Sequence, residues 1–318
     1  MLDVVTMGEA LIDFLADRPG VTLTQARMFT WAAGGAPANV AVAAARLGLR
    51  AGFVGKVGND PFGLYLRDTL RSFDVDTESV LLSEQARTAL AFVALPTPDS
   101  PQFTFYRNPS ADMLIRAEEL DAKYLSETRV FHFGSISLIC DPGRTATLTA
   151  LRLAKDAGAI ISFDPNYRPA LWPAKVAKAR ILETLPLCDL VKVNEGEVTL
   201  LTGKQDLVAG AREILAVGPK VCLVTLGAEG SLYVTPRCDG HVPSFRVRTV
   251  DATGCGDGFM AAAIKGIVEA EGIEHLGSGD LEPILRYSNA VGALTATKKG
   301  GIPAFPTAGQ VNAFLAQV

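Results

Sequence analysis

The chain has 318 residues, 48% hydrophobic and 20% charged, with a formal net charge of -4, enough for one large α/β domain or two smaller ones around a substantial core. No block of basic residues marks a nucleic-acid or anionic-membrane partner, and no apolar run reaches the ~18 residues of a membrane-spanning helix. The five cysteines, at 140, 188, 222, 238 and 255, are odd in number and contain no C-x-x-C pair, so neither a disulfide framework nor a zinc site is expected and a reducing cytoplasm fits.

Residues 2–12 read as a buried strand ending near Gly8, without the basic region and long apolar stretch of a signal peptide ahead of it. Asp13 follows where open α/β sheets place ligand contacts, with a turn-capping aspartate as the alternative. Residues 14–33 alternate in short segments without a helical period, as do 88–107, where Thr88–Leu95 and Gln102–Arg107 flank a turn at 96–101. These stretches predict a small separate sheet inserted at two points. Gly34-Gly35-Ala-Pro-Ala-Asn39 opens a helix through Val40, Ala43, Ala44 and Leu47 that Gly48 ends. Its glycines allow close backbone approach and Asn39 offers an amide to hydroxyls, unless Asn39 merely caps the helix. Ala51–Val57 is another strand, and a helix runs from Pro61 through Phe73.

From about 129 onward, strands at Val130–Ser135, Ala159–Asp164, Leu190–Asn194 and Val221–Leu226 alternate with helices at about 143–157, 195–202 and 206–217. This alternation predicts βαβ units and a parallel sheet. Three of its strand ends are polar: Asp164-Pro-Asn-Tyr-Arg168, Asn194-Glu-Gly-Glu197 and Thr225-Leu-Gly227. In a parallel sheet such ends share one edge, so groups far apart in sequence can converge.

A β-like run over Val242–Val250 then leads into Asp251-Ala-Thr-Gly-Cys-Gly-Asp257, and a helical run over Met260–Ala270 leads out. Glycines 254, 256 and 258 free the backbone to turn sharply, and the N–H groups of the following helix suit a phosphate. A carboxylate at Asp257 is costly beside an anion unless it does chemistry or meets a metal; a plain helix-terminal charge is the alternative. Helices over Leu281–Thr297 and from about 308 close the chain. The two tryptophans, 31 and 172, and the three histidines, 132, 241 and 275, lack ligand spacing and are assigned to core or surface.

The Gly34–Asn39 segment with Gly48 and Gly58, and the Asp251–Asp257 segment, resemble the two diagnostic patterns of the ribokinase-like carbohydrate kinase family, of phosphofructokinase-B type. Gly8–Asp13, Phe105–Asp112, Asp164–Arg168 and Thr297–Pro303 look most like fructokinases, and the resemblance spans the chain. It implies an α/β fold of ribokinase-like type: an αβα sandwich with a mostly parallel central sheet, in one domain over 1–318, with a discontinuous β lid at about 14–33 and 88–110. It implies transfer of the γ-phosphoryl group of ATP to a sugar hydroxyl with Mg²⁺, the hydroxyl being on C6 for a fructokinase. Alternatives are 2-keto-3-deoxygluconate kinase or ribokinase within the family, and a catalytically silent sugar or nucleotide sensor outside that class. A nucleotide-dependent dehydrogenase is rejected, because glycines 254, 256 and 258 lack the G-x-G-x-x-G spacing.

Roles follow from the same resemblance. Asp257 is the base, and backbone N–H groups of Gly254, Cys255 and Gly256 form the anion hole. Asp13, Gly34, Gly35 and Asn39 match sugar contacts, with Arg107 on the lid and Asp164 and Arg168 joining the substrate set. Asn194 and Glu197 fit the Asn-x-x-Glu pattern of the magnesium-phosphate site, Glu197 acting through water. Thr225, Gly227 and Asn289 lie on the nucleotide side, while Asp251, Thr253, Thr295 and Gly300 match a potassium site made largely of backbone carbonyls. The expected partners are a small-molecule sugar and ATP, with a second copy of the chain through the lid, since relatives often dimerise there. The chain departs from the pattern at Ala252 and Cys255, where relatives usually carry Thr and Ala. At a helix N-terminus the Cys255 thiol is either acidified and reactive or a small buried replacement for Ala.

Overall fold

The computed structural model describes residues 1–97 and 100–318; Pro98 and Asp99, within the turn expected at 96–101, lie outside the described residues. In chain order the first half contains β1 (Leu2–Met7), β2 (Leu11–Ala16), β3 (Phe29–Gly34), α1 (Ala36–Arg46), β4 (Ala51–Gly58), α2 (Pro61–Ser72), β5 (Val80–Ser83), β6 (Ala89–Thr97) and β7 (Ser100–Tyr106). There follow α3 (Ala122–Ser126), β8 (Thr128–Gly134), α4 (Gly143–Asp156), β9 (Ile160–Asp164), α5 (Ala174–Thr184), β10 (Leu190–Asn194), α6 (Glu195–Thr202), α7 (Leu207–Leu215) and β11 (Val221–Thr225). The chain closes with β12 (Ser231–Val234), β13 (Asp239–Val242), α8 (Cys255–Glu269), α9 (Ser278–Ala296) and α10 (Ala308–Leu315).

Among the described residues nine strands pair in the order β13-β12-β11-β10-β9-β8-β1-β4-β5. The run from β11 to β5 is parallel, and β12 and β13 add an antiparallel edge. Successive strand residues point to opposite faces, so each strand feeds two cores. Val4, Phe53, Val130, Leu190 and Leu223 face α1, α8 and α9. Val5, Val54, Phe131, Ile161 and Val191 face α4, α5, α6 and α7. This is the αβα sandwich that the resemblance implies. β1 lies between β8 and β4, and the chain travels outward through β4 and β5 before returning on the other side at β8. In open α/β sheets ligands bind beyond the carboxyl ends of strands at such a reversal.

A second sheet, in the order β3-β2-β6-β7, stands apart from the first. Gly8, at φ +152° and with its Cβ position 2.6 Å from Pro37 Cγ, lets the chain leave β1 and enter it. Asp13 is therefore not a loop residue beyond the first strand: it sits inside β2, opposite Ala32 of β3 and Ala91 of β6. Two other expectations are corrected. Strand pairing ends at Val242, and 243–249 carries no regular structure, because Pro243 interrupts the run and the segment beyond it is largely exposed. α8 begins at Cys255 rather than Met260: glycines are poor helix formers, but the helix is buried from Asp257 onward and packing overrides propensity. β5, β12, α3 and α5 carry no signal in the sequence reading above.

Asp60 couples the two sheets. As N-cap of α2 its Oδ1 accepts from Phe62 N at 3.1 Å and Gly63 N at 3.0 Å. It also takes the Thr88 hydroxyl on Oδ1 and Thr88 N on Oδ2, each at 2.9 Å, just before β6. Burial opposes the charge, yet these donors outweigh it and hold the carboxyl below its ordinary range. Asp60→Ala is expected to lower the unfolding free energy by about 2 kcal/mol, read from the midpoint of urea denaturation at unchanged slope. A midpoint equal to that of the parent would contradict this linkage.

Candidate active site

The junction ahead of α8 is shaped by Gly254, which serves as N-cap at φ +81° with a Cβ position 3.0 Å from Gly301 Cα. Helix growth from Cys255 places Asp257 in the first turn, buried. Asn39, in the first turns of α1, donates from Nδ2 to Asp257 Oδ2 at 2.8 Å. It does not cap its helix, whose N-cap is Gly35, and its Oδ1 is buried without a partner among the described residues. Burial pushes the Asp257 carboxyl up to about 6; the Asn39 bond opposes this, Asp164 adds to it, and Lys192 and Arg168 oppose it. Among the described residues no acceptor meets the N–H groups of Gly254, Gly256 or Asp257, whereas Cys255 N–H bonds Ala252 O at 3.2 Å. Three donors at a helix head thus face the site, and the one from Cys255 that the anion hole was expected to use is engaged.

On the small-sheet side Asp13 Oδ2 stands 2.1 Å from where a Gly34 Cβ would be, and Gly35 at φ +104° has a Cβ position 2.4 Å from Glu9 O. Gly35 is therefore required by backbone space, while a side chain at 34 would displace the Asp13 carboxylate. Desolvation raises the Asp13 carboxyl to about 7, with Arg168 opposing and Asp257 and Asp251 adding. Arg168 is accordingly the cation that acts on both Asp13 and Asp257. Arg107 is buried at the foot of the lid, its guanidinium forked onto Asp112, which also receives the Ser110 hydroxyl. Its charge acts on Glu9, a residue not singled out from sequence. Glu9 accepts from Ala36 N at 3.1 Å, has a second oxygen with no partner, and is pushed by burial to about 7.

At the strand ends, Asp164 Oδ2 pairs with Lys192 Nζ at 2.7 Å and its Oδ1 accepts from Asn166 N at 3.0 Å, both side chains being buried. The Asp164 carboxylate is therefore engaged within the protein. Lys192 was not singled out from sequence, although a lysine inside the apolar strand Leu190–Asn194 is a signal in itself. Its Nζ lies 3.1 Å from where a Cβ on Gly256 would be. Burial disfavours its charge, but Asp164, Glu197 and Asp257 outweigh that and raise its pKa. Asn194 and Glu197 form a reciprocal cap on α6, and Glu197 also accepts from Tyr167 N at 2.7 Å. Burial raises the Glu197 carboxyl, Asp164 adds to this and Lys192 opposes it.

The remaining expected residues divide. Thr225 ends β11 with its hydroxyl 3.4 Å from Val193 O, and Gly227 turns the chain at φ +57°. Asn289 is buried, accepting from Ser231 Oγ at 3.1 Å and donating to Val242 O at 2.9 Å and Pro243 O at 3.3 Å, so its amide ties α9 to the sheet edge. Asp251 accepts from Thr253 N and Oγ1 and from Gly300 N, stapling two loops. The Thr295 hydroxyl turns back to Val291 O at 2.8 Å, and its carbonyl accepts from Lys298 N at 3.2 Å.

The family model described as pfkB family carbohydrate kinase matches residues 1–308. Fructokinase-1 of Zea mays is 47% identical over 313 residues, covering 97% of this chain and 96% of the relative. The crystal structure of a fructokinase from Xylella fastidiosa with bound ATP superposes with a TM-score of 0.91 at 35% identity, covering 100% of this chain and 99% of that one. A double-mutant fructokinase from Vibrio cholerae O395 in its fructose-, ADP- and potassium-bound form superposes with a TM-score of 0.88 at 33% identity, covering 99% and 98%.

Of the two readings of Cys255, its surroundings favour the small buried replacement for Ala. Burial pushes the thiol up to about 12, and the carboxylates of Asp251 and Asp257 add to the rise. Iodoacetamide at pH 7.5 is expected to label Cys255 at least ~10-fold more slowly than a free cysteine peptide, read by mass spectrometry of the digested protein. Labelling at the rate of the peptide would restore the reactive thiol.

Proposed function

Because the chain belongs to the pfkB family of carbohydrate kinases, we propose that it acts as an ATP-dependent fructokinase, moving the γ-phosphoryl group of ATP to the 6-hydroxyl of fructose. The observation that carries this reading is the 2.8 Å hydrogen bond from Asn39 to Asp257. It joins the segment matched to sugar binding with the segment matched to phosphoryl transfer.

Asp13, standing over Gly34, and the unpartnered Oδ1 of Asn39 accept sugar hydroxyls. Asn39 Nδ2 holds the Asp257 carboxylate toward the reacting hydroxyl. The sugar oxygen bonds to the γ-phosphorus, the bond from that phosphorus to the bridging oxygen of ADP breaks, and the hydroxyl proton passes to Asp257. Charge in this loose transition state sits mainly on phosphoryl oxygens, which the N–H groups of Gly254 and Gly256 and the positive end of α8 receive. Thr225 and Gly227 border the nucleotide. Mg²⁺ bound with ATP neutralises phosphate charge. Among the described residues no cluster of three His, Cys, Asp or Glu side chains is placed to ligate a metal directly. An ion that keeps its water shell fits Asn194 and Glu197 at the head of α6, since both Glu197 oxygens already accept backbone N–H groups.

Asp257→Ala is expected to lower kcat by at least ~10² while fructose and ATP still bind in calorimetry. Near-normal turnover would remove Asp257 as the base. In a sugar panel fructose should give a higher kcat/KM than ribose or 2-keto-3-deoxygluconate, and the reverse order would reject fructose as the substrate. A raised carboxyl pKa leaves the base form dominant only above that pKa. The kcat/KM, which reports the free enzyme, should therefore fall as pH drops through the range from about 7 to about 6 set by Asp13 and Asp257. A profile flat between pH 5 and 8 contradicts this assignment.

A further inference from the structure

We infer that Lys192 is a catalytic residue of this reaction, its ammonium donating to the transferring phosphoryl group from the floor of the site; this rests on the kinase reading above. Mid-strand in β10, Lys192 is 5% exposed, and water does not solvate its charge. A buried ammonium is costly unless fixed partners offset it. Asp164 supplies one partner at 2.7 Å, positioned by register because β9 and β10 pair in parallel and bring their carboxyl ends together.

An ammonium has three donors, and among the described residues only Asp164 accepts from this one. Its location says where the others point. Nζ lies against Gly256, 3.1 Å from where a Cβ would be, so it borders the helix turn whose Gly254, Gly256 and Asp257 N–H groups lack acceptors. Any side chain at 256 would crowd it. The surrounding charge is otherwise mainly negative, with Asp164, Glu197 and Asp257 all acting on Lys192. A polyphosphate entering among those carboxylates meets repulsion unless a fixed cation stands with them, and Lys192 is buried there against the head of α8.

The geometry assigns it a transition-state role. As the bond from phosphorus to the ADP oxygen opens and the sugar oxygen closes on phosphorus, the equatorial oxygens carry the charge, and a preorganised ammonium beside the N–H groups stabilises them. The proton still goes to Asp257, and Lys192 keeps its own throughout.

The competing account is that Lys192 only neutralises Asp164. Lys192→Met should lower kcat ~10² to 10³-fold with little change in the KM for fructose, the loss typical of one oxyanion donor. It should also weaken binding of ADP with aluminium fluoride in the presence of fructose, a mimic of the transferring phosphoryl group, while ADP alone binds as in the parent. Because Lys192→Met leaves Asp164 buried and unpaired, the double variant Asp164→Asn with Lys192→Met, which removes both charges, is the folding-safe arm. Its kcat should remain low despite a parental melting temperature. Recovery of kcat in the double variant, or a single variant within ~3-fold of the parent in kcat, overturns the assignment. If the parent itself transfers phosphate to no sugar, it is the kinase reading that fails.

Discussion

One hydrogen bond, from Asn39 Nδ2 to Asp257 Oδ2, links the two halves of this molecule at the point where they must agree. It requires α1 and α8 to pack side by side on the same sheet face, which their buried alanines and glycines permit by allowing close approach. It also requires each helix to begin at a glycine, Gly35 and Gly254, held at positive φ. A shift of either helix by part of a turn would move the amide out of reach of the carboxylate, leaving Asp257 buried without its one side-chain hydrogen-bond donor among the described residues.

Around that bond the main electrostatic constraint is an excess of carboxylates. Asp164, Glu197, Asp251 and Asp257 beyond the main sheet and Asp13 from the small sheet come together, and burial raises the pKa values of Asp13, Glu197 and Asp257. Lys192 and Arg168 are the cations that oppose them, and the unpaired N–H groups at the head of α8 add partial positive charge. The same crowding explains why the Cys255 thiol is not acidified. Burial and two neighbouring carboxylates all push its pKa upward. The positive potential here comes from fixed N–H donors and nearby cations rather than from a basic surface.

The lid belongs to the same economy of placement. Asp13 reaches the site only because Gly8 releases the chain from β1 into a second sheet, and Asp60 holds that sheet to α2 through Thr88. Arg107 and Glu9 are both buried, and the Arg107 guanidinium is bound to Asp112.

Local chemistry made much of this legible from sequence. Glycine spacing marks where backbone must come close, strand and helix periods differ enough to separate βαβ units from the lid, and polar residues at strand ends point to a shared edge. Those signals depend on residues near one another in the chain, so Gly34–Asn39, Asp164–Arg168, Asn194–Glu197 and Gly254–Asp257 could be singled out. What depends on neighbours far away in sequence could not. The start of α8 was hidden because its glycines read as a turn, although Gly256 and Gly258 are helical and only Gly254 turns the chain as N-cap, and the edge strand β12 gave no strong period. The partner of Asp164 is a lysine on another strand, and the environment of Cys255 is set by carboxylates rather than by its own helix. Sequence alone determined which residue types are available at the sheet edge; only the tertiary structure decided which carboxylate is free, which is paired and which thiol is silent, because burial and distance set those energies.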